Sequence, residues 1–299
     1  MFHINHPWHL AIKSYTKVYF ATMNRSGTWY THFFFEFFEN QMTGRKEIKR
    51  NHNIDLYNSI QCLKSHTHSI FPEFDKLYDG KLKQKWDSLE FYCNAFNNGY
   101  INVEKFPEIF SPIQNPELKI IYLYRNPLDN CVSAFHHYKN HRLNGHRVYR
   151  HKITGQLTPF TSPSEYMRNG GLEGYIKQFF TFYVMRGQEN LLMIRYEDLI
   201  SDPVSTFTKI LEFLGFEIDN EIKYSAVKIA SQMSRPDNLR QIEIAIGHGL
   251  ADDQAIAGGS TMHGGEVGKW RGELTEEDVD YCFNFFERFG ISKDFFVLR

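Results

Sequence analysis

The chain has 299 residues, of which 42% are hydrophobic and 23% are charged, a composition typical of folded globular proteins rather than of disordered or collagen-like chains. Lys plus Arg (34) nearly balances Asp plus Glu (35), which argues against a nucleic-acid-binding protein and requires that any anionic ligand be held locally. The four cysteines lie far apart, without zinc-ligand spacing or the density of a disulfide scaffold, and this favours a reducing, cytoplasmic location.

The N-terminal segment MFHINHPWHLAIKSYTK lacks an apolar run between a basic start and a small-residue cleavage site, so it is not predicted to be a secretion signal. The aromatic stretch after Tyr30 is interrupted by Glu36 and Glu39. It is also shorter than the about 20 apolar residues that cross a bilayer, so no membrane span is predicted. Because no repeat or clear linker divides the chain, we expect a single domain over residues 1–299.

The first predicted unit is a strand, a polar turn and a helix. The segment KVYFAT, Lys17–Thr22, is rich in β-branched and aromatic residues and runs into the polar turn MNRSGT. The helix is predicted from aromatic residues that recur at i, i+3, i+4, i+7 and i+8, namely Tyr30, Phe33, Phe34, Phe37 and Phe38. This spacing places them on one apolar stripe.

The turn in this unit has the composition of an anion site. A loop between a strand and a helix presents backbone N–H groups at the positive end of the helix dipole. Arg25 adds a charge, Ser26 and Thr28 add hydroxyl groups, and Gly27 permits close approach of a ligand to the backbone. The alternative is that Ser or Thr simply caps a core helix. The loop lacks the Gly-Lys pair of the P-loop that binds ATP or GTP.

Further strands are predicted at Leu118–Tyr124 and Asn190–Asp198, each followed by polar residues. A helix after Pro203 is expected to end before Gly215, and Thr275 is expected to cap the last helix. Strands that alternate with helices predict an α/β fold with a parallel sheet. Two regions, roughly residues 67–117 and 139–172, are expected to be irregular.

The turns after the three strands share motifs with one known family. Arg25-Ser26-Gly27-Thr28 with Trp29 resembles K-S-G-T-T-W, the 5′-phosphosulfate loop of the cytosolic-type sulfotransferase family. YRNPLDNCVSAF, with Arg125 and Ser133, resembles that family's R-N-x-x-D-x-x-V-S motif, which holds the 3′-phosphate. RYEDLISDP is similar to Y-E-D-[LM]-x-x-D-P, in which Tyr196 would contact the nucleotide.

The three motifs occur in the family's order along the chain, each near the end of a predicted strand, where ligands bind in open α/β sheets. The resemblance implies a three-layer α/β fold with a central parallel sheet, the P-loop-like nucleotide-binding fold of sulfotransferases. It also implies 3′-phosphoadenosine 5′-phosphosulfate (PAPS) as the co-substrate, with no metal expected.

The catalytic groups are implied by the same resemblance. LKSHTHSIFPEF is similar to the family's K-T-H-x-P segment, which makes His66 the expected general base. The ordinary pKa of histidine, about 6.5, suits proton abstraction near neutral pH. Lys64 and Arg25 would stabilise the charge that builds on the leaving phosphate oxygen.

Alternatives to His66 stay open. His66 lies further from the Arg125 motif than is usual in the family, which requires an insertion after it. His68 is a close rival, and Glu104 or Lys105 in NVEKFPEIF lies at nearly the family's distance. Both histidines could also belong to a surface loop.

The remaining nucleotide contacts of the family are only partly matched. MHGGEVGKWRGELT resembles R-K-G-x-x-G-D-W-K, with Gly265 in register but with His263 and Gly264 in place of the basic pair. This change should weaken the grip on the 3′-phosphate, unless Arg271 or the histidine compensates. Either Trp29 or Tyr30 is expected to stack on the adenine.

The segment HHYKNHRLNGHRVYRHK, His136–Lys152, is rich in histidine and basic residues. Its histidine spacings match no tight metal-ligand set, so we expect a solvated loop; zinc binding and a lid over the acceptor site are the alternatives.

The leading hypothesis for function is a sulfotransferase acting on a hydroxyl or amine of a small-molecule acceptor. One rival is a nucleotide-binding pseudoenzyme, and the other is an ATP-dependent, kinase-like phosphotransferase. No nucleic-acid partner is expected, and the oligomeric state stays open.

Overall fold

A computed structural model describes residues 17–23, 26–44, 60–62, 118–141, 160–246 and 265–296. The strands in these ranges are β1 (Lys17–Thr22), β2 (Ile60–Cys62), β3 (Leu118–Tyr124) and β4 (Leu191–Arg195). They form a fully parallel sheet in the order β2-β1-β3-β4. The predicted α/β fold with a central parallel sheet is therefore confirmed.

Helices connect and cover the strands. Within the described ranges they are, in chain order, α1 (Thr28–Thr43), α2 (Pro127–His141), α3 (Pro163–Tyr166), α4 (Leu172–Val184), α5 (Tyr196–Ser201), α6 (Pro203–Phe213), α7 (Glu221–Met233), α8 (Pro236–Ile246) and α9 (Glu276–Glu287). A π-helical turn (Met167–Gly171) joins α3 to α4, and 3₁₀ turns occupy Lys269–Gly272 and Lys293–Phe295.

The strand register places the carboxyl ends of three strands at one edge of the sheet. Thr22 lies opposite Leu123, and Tyr124 lies opposite Arg195, so β1, β3 and β4 end nearly level. The chain order reverses between β1 and β3, because β2 lies on the far side of β1. Ligands of open α/β sheets bind at such a reversal, beyond the carboxyl ends of the strands.

One face of the sheet is covered by an aromatic core around α1. The five residues of the predicted stripe are all buried, at no more than 2% exposure. The Phe34 ring stacks on Phe207 of α6 with centroids 3.6 Å apart, and Phe38 meets Phe216 edge-on. Burial of aromatic side chains on this scale fixes the position of α1, and therefore of the turn that precedes it.

The other face is covered by α2, α4 and α9. Side chains of β3 alternate between the two faces, so that Tyr122 and Tyr124 pack here while Ile121 and Leu123 pack against the α1 side. Tyr122 stacks on Phe182 of α4, with centroids 3.8 Å apart. Residues of β3 and α2 share this core, which fixes the position of α2 against the sheet.

Several predicted boundaries are confirmed. β1 and β3 have the predicted bounds, and Gly215 follows α6 with a left-handed backbone (φ +83°). Thr275 caps α9 in a capping box with Asp278, as the sequence indicates.

The predicted end of the third strand is wrong. β4 ends at Arg195, and Tyr196 begins α5. In this turn the Glu197 side chain accepts from the Asn126 amide at 2.9 Å, a contact between distant parts of the chain, and the Asp202 amide donates to the Asp198 carbonyl at the end of the same short helix. Tyr196 therefore lies in the first turn of a helix, directly after the sheet.

The expectation of irregular structure over residues 139–172 is also wrong in part. Helix α2 continues to His141, and residues 163–171 are helical apart from a kink at Asn169 and Gly170. The Ser162 hydroxyl caps α3 by accepting a hydrogen bond from the Glu165 amide, a local signal that apolar periodicity does not reveal. Within the described ranges, no helix is long and apolar enough to cross a membrane.

Candidate functional site

The turn between β1 and α1 has an unusual polar arrangement. The Ser26 amide donates to the Met23 carbonyl at 3.2 Å, and the Met23 amide donates to Leu123 of β3. Ser26 is fully buried, yet its hydroxyl has no hydrogen-bond partner among the described residues. An unpaired buried hydroxyl costs free energy, so the Ser26 hydroxyl is suited to donate a hydrogen bond to a ligand at this turn.

Gly27 is the N-cap residue, directly before the first residue of α1. Its backbone is left-handed (φ +90°), a conformation that glycine adopts without steric cost, and no side chain caps the helix. The alternative interpretation, in which Ser or Thr merely caps a core helix, is therefore wrong for Ser26. The first N–H groups of α1 have no side-chain cap within the described residues.

The ring of Tyr196 lies directly against this turn. A Cβ atom placed on Gly27 would be 2.7 Å from Tyr196 Cδ2, so only glycine fits at this position. The Tyr196 hydroxyl lies against Gly265, where an added Cβ would be 2.9 Å from the oxygen. The buried Tyr196 thus contacts two of the predicted nucleotide-binding segments at once.

Arg125, the first residue after β3, contacts the same tyrosine. Its guanidinium carbon lies 4.6 Å from the centre of the Tyr196 ring, within cation–π distance. Arg125 Nη2 also donates to the Glu266 carbonyl at 2.6 Å, and its own carbonyl accepts from the Tyr175 hydroxyl. Arg125 is 6% exposed, so its charge is held in a largely dry environment.

The buried carboxylate of Glu197 interacts with both the Arg125 charge and the buried carboxylate of Asp129. Glu197 Oε1 accepts from the Asn126 amide at 2.9 Å, and the other oxygen of Glu197 has no hydrogen-bond partner in the described part of the chain. Burial raises the pKa of Glu197, opposed by the Asn126 hydrogen bond and the Arg125 charge, and the neighbouring Asp129 raises it further. The Asn126 side chain in turn accepts from the Leu128 amide and so caps α2.

Asp129 connects α2 with the Gly-rich segment. Its two oxygens accept from the Gly268 amide at 2.7 Å and from the Trp270 amide at 3.3 Å. Ser133 lies one turn further along α2 and is half-buried. His136 follows on the same face and is hydrogen-bonded to Glu273.

The His-rich segment therefore differs from the prediction of a solvated loop. His136 and His137 belong to α2 and are half-buried, because α2 packs on the core and the Gly-rich segment covers it. Residues 142–152 lie outside the described residues. Within the described ranges, no three His, Cys, Asp or Glu side chains are placed to hold a metal ion.

Several predicted site residues lie outside the described residues. They are Arg25, Lys64, His66, His68, Glu104, Lys105, His263 and Gly264. Thr28 and Trp29 are described as the first residues of α1, by their backbone alone. Tyr30 is buried in the core, donates to the Ser231 carbonyl and meets Phe207 edge-on, so it is not available to stack on an adenine.

The structure therefore brings Gly27, Arg125 and Gly265 into contact with Tyr196, and Ser26 directly precedes Gly27 in the chain. Sequence reasoning assigned no role to Asn126, Asp129 or Glu197, although all three belong to the motifs that carry the resemblance. Their polarity next to a strand end was the available signal. An arrangement with a helix N-terminus, a buried hydroxyl and a guanidinium is suited to bind an anion with more than one negatively charged group.

A family model described as "Sulfotransferase domain" matches residues 15–290. "Sulfotransferase 2A1" of Rattus norvegicus is 29% identical over 170 residues, which cover 54% of this chain and 53% of that protein. The chain spans about half the length of such curated relatives.

Two solved structures show the shared fold. Retinol dehydratase in a complex with retinol and PAP aligns with a TM-score of 0.53, at 16% identity, over 95% of this chain and 83% of that chain. Mouse sulfotransferase SULT7A1 complexed with PAP aligns with a TM-score of 0.52, at 17% identity, over 95% of this chain and 89% of that chain.

Proposed function

The chain belongs to the sulfotransferase domain family, and on this premise we propose that it transfers a sulfuryl group from PAPS to a hydroxyl or amine of a small molecule. The S–O bond to the phosphate of the donor breaks, and a new S–O or S–N bond forms to the acceptor. The acceptor's proton passes to a protein base, and adenosine 3′,5′-bisphosphate leaves.

The observation that carries this proposal is the position of Tyr196. The ring contacts Gly27 of the first turn, and the hydroxyl contacts Gly265 of the Gly-rich segment. Arg125 lies over the same ring. Residues from four separate segments converge here, and each segment was assigned to one nucleotide on its sequence alone. A donor with phosphate groups at both its 5′ and 3′ positions needs more than one such anion site.

In this proposal the first turn receives the 5′-phosphosulfate. The N–H groups of α1 and the buried Ser26 hydroxyl supply hydrogen-bond donors, and Arg25 adds a charge. Arg125 and Ser133 receive the 3′-phosphate, because a guanidinium forms short, charge-assisted hydrogen bonds to phosphate. Tyr196 would contact the nucleotide between them.

We assign the base to His66 and the stabilisation of the leaving group to Lys64 and Arg25. The described end of β2 supports this assignment. Cys62 pairs with Phe20 of β1 in a parallel register, so β2 runs toward the same sheet edge as the first turn. Lys64 and His66 follow Cys62 closely in the sequence.

A labelled-donor assay tests the function. The chain is incubated with ³⁵S-labelled PAPS and a panel of phenols, amines and alcohols that includes androsterone and retinol. A parallel reaction contains Mg²⁺ and γ-labelled ATP. We expect transfer of label from PAPS to at least one acceptor class and none from ATP. Transfer only from ATP would establish the kinase-like alternative.

The pseudoenzyme alternative is motivated by His263 and Gly264, which stand where the family has two basic residues. Calorimetry with adenosine 3′,5′-bisphosphate separates this alternative from an enzyme. Binding of the nucleotide without transfer to any member of the panel would contradict the proposed activity.

The base is tested by His66→Ala, with His68→Ala as the matched control two residues away. General base catalysis contributes about 10²- to 10⁴-fold, so His66→Ala should lower turnover by about that factor and leave the affinity for the bisphosphate unchanged. His68→Ala should retain turnover. The reverse pattern would assign the base to His68, and loss in neither variant would direct attention to Glu104 and Lys105.

A further inference from the structure

Helix α2 fixes the course of the Gly-rich segment through one buried carboxylate. Asp129 is 2% exposed, and its two oxygens accept from the amides of Gly268 and Trp270. Trp270 also packs against the core beside α2, so this packing and the two hydrogen bonds to Asp129 together set the path of the segment. The position of residues 268–270 therefore depends in part on Asp129.

The same face of α2 carries the hydroxyl predicted to bind the 3′-phosphate. Asp129, Ser133 and His136 are spaced by four and three residues, which aligns them along one side of a helix. His136 contacts Glu273, so the segment is attached to this face on both sides of Ser133.

At its start, the segment contacts the other groups of the site. The Glu266 carbonyl accepts from Arg125, and Gly265 lies against the Tyr196 hydroxyl and the Pro236 ring. Movement of residues 268–270 would therefore change the positions of groups that hold Arg125. The attachment through Asp129 joins two backbone amides of the segment to one buried carboxylate.

We propose that Asp129 is a positioning residue for the 3′-phosphate: it holds the Gly-rich segment so that Arg125 and Ser133 face the same anion. The inference rests on the proposed function. Asp129 acts through the backbone of Gly268 and Trp270. The hydrogen bonds from their N–H groups partly offset the negative charge of Asp129, which would otherwise repel a nearby phosphate. Because His263 and Gly264 supply fewer charges than the family's basic pair, the position of the segment contributes more to the selectivity for a nucleotide with a 3′-phosphate.

The test compares two nucleotides that differ only in the 3′-phosphate. Isothermal titration gives the dissociation constants of adenosine 3′,5′-bisphosphate and adenosine 5′-monophosphate for the intact chain and for Asp129→Asn. We expect the variant to lose about 10-fold in affinity for the bisphosphate, the scale of one hydrogen bond to a charged group, and to bind the monophosphate unchanged. The ratio of the two constants is a readout that general destabilisation does not alter.

Asp278→Asn is the matched control, because Asp278 is also buried and also accepts from a backbone amide, that of Thr275. It should lower the melting temperature and leave the ratio unchanged. His136→Ala removes the second attachment on α2 and should reduce the ratio by about threefold, which keeps the inference testable if Asp129→Asn does not fold.

An unchanged ratio in Asp129→Asn, or an equal loss for both nucleotides, would overturn the positioning role while the proposed function stands. If the unmodified chain binds neither nucleotide, the proposed function itself fails, and the inference fails with it.

Discussion

The turn after β1 and the turn after β3 leave the sheet at the same edge but use their polar groups in opposite ways. In the first turn, the Ser26 hydroxyl has no partner among the described residues, and the N-cap of α1 is Gly27, which has no side chain to cap the helix. In the second turn, Asn126 caps α2, its amide donates to Glu197, and Arg125 donates to Glu266. Among the described residues, the first turn leaves the Ser26 hydroxyl without a partner, whereas the polar groups of the second turn are hydrogen-bonded to neighbouring residues.

The two turns also differ in what fixes their shape. The first turn is shaped by steric fit, since Tyr196 leaves room only for glycine at position 27. The second is shaped by charge, since the buried carboxylate of Glu197 interacts with the Arg125 guanidinium and with the buried carboxylate of Asp129. Substitutions should therefore affect the first turn through packing and the second through electrostatics.

The largest effect is expected from Arg125→Ala, which removes the charge of the second turn. Hydrogen bonds to charged groups each contribute about 1.5–3 kcal/mol, so the loss of a two-pronged contact should weaken binding of adenosine 3′,5′-bisphosphate by at least about 100-fold. Titration calorimetry measures this change. Arg186→Ala is the control, because Arg186 lies over the Tyr183 ring in a similar cation–π contact on an exposed turn. Equal affinities for both variants would remove Arg125 from the nucleotide site.

Gly27→Ala should act on the first turn through packing. The new Cβ would clash with the Tyr196 ring, and alanine is strained at φ +90°. Together these effects should lower the free energy of unfolding by about 2–3 kcal/mol, measured by urea denaturation. Gly187→Ala separates the two causes, because Gly187 has φ +98° but no atom within 4 Å of the added Cβ. It should cost about 1 kcal/mol, and an equal cost for both variants would rule out the steric role of Tyr196.

The smallest effect concerns Glu197 and sharpens the electrostatic description of the second turn. Burial raises the pKa of Glu197 in the folded chain above its unfolded value. The uncharged form is therefore favoured by folding, and this stabilisation is present at low pH and is lost as the pH rises through the folded pKa.

Glu197→Gln keeps the acceptor for the Asn126 amide but cannot ionise. Relative to this variant, the unmodified chain should become less stable as the pH is raised from about 4.3, the ordinary pKa of glutamate. Urea denaturation across a pH series measures the difference. Glu212→Gln, on the exposed side of α6, controls for a change in net charge. A difference that does not vary with pH would contradict the raised pKa.

Much of the fold could be predicted because local signals and tertiary packing agree. The aromatic spacing in α1 and the apolar run of β3 report burial directly, and Thr275 with Asp278 forms the capping box that their spacing indicates. The end of β4 could not be predicted, because the helical turn that follows it makes a contact between distant parts of the chain. The Glu197 side chain in this turn accepts from the amide of Asn126, which follows β3.

The site was only partly predictable for a related reason. Gly27, Arg125 and Tyr196 could be assigned from motifs, but their convergence on one ring depends on the parallel register of β1, β3 and β4. The role of Asp129 lies in hydrogen bonds to residues 268 and 270, a separation along the chain that no local pattern reports.

The most direct test of the two-turn site is a crystal structure of the chain with adenosine 3′,5′-bisphosphate. The proposed function predicts the 5′-phosphate at the N-terminus of α1, beside Ser26, and the 3′-phosphate between Arg125 and Ser133, with Tyr196 alongside the nucleotide. A nucleotide bound away from Tyr196, or one whose 3′-phosphate does not contact Arg125, would contradict it.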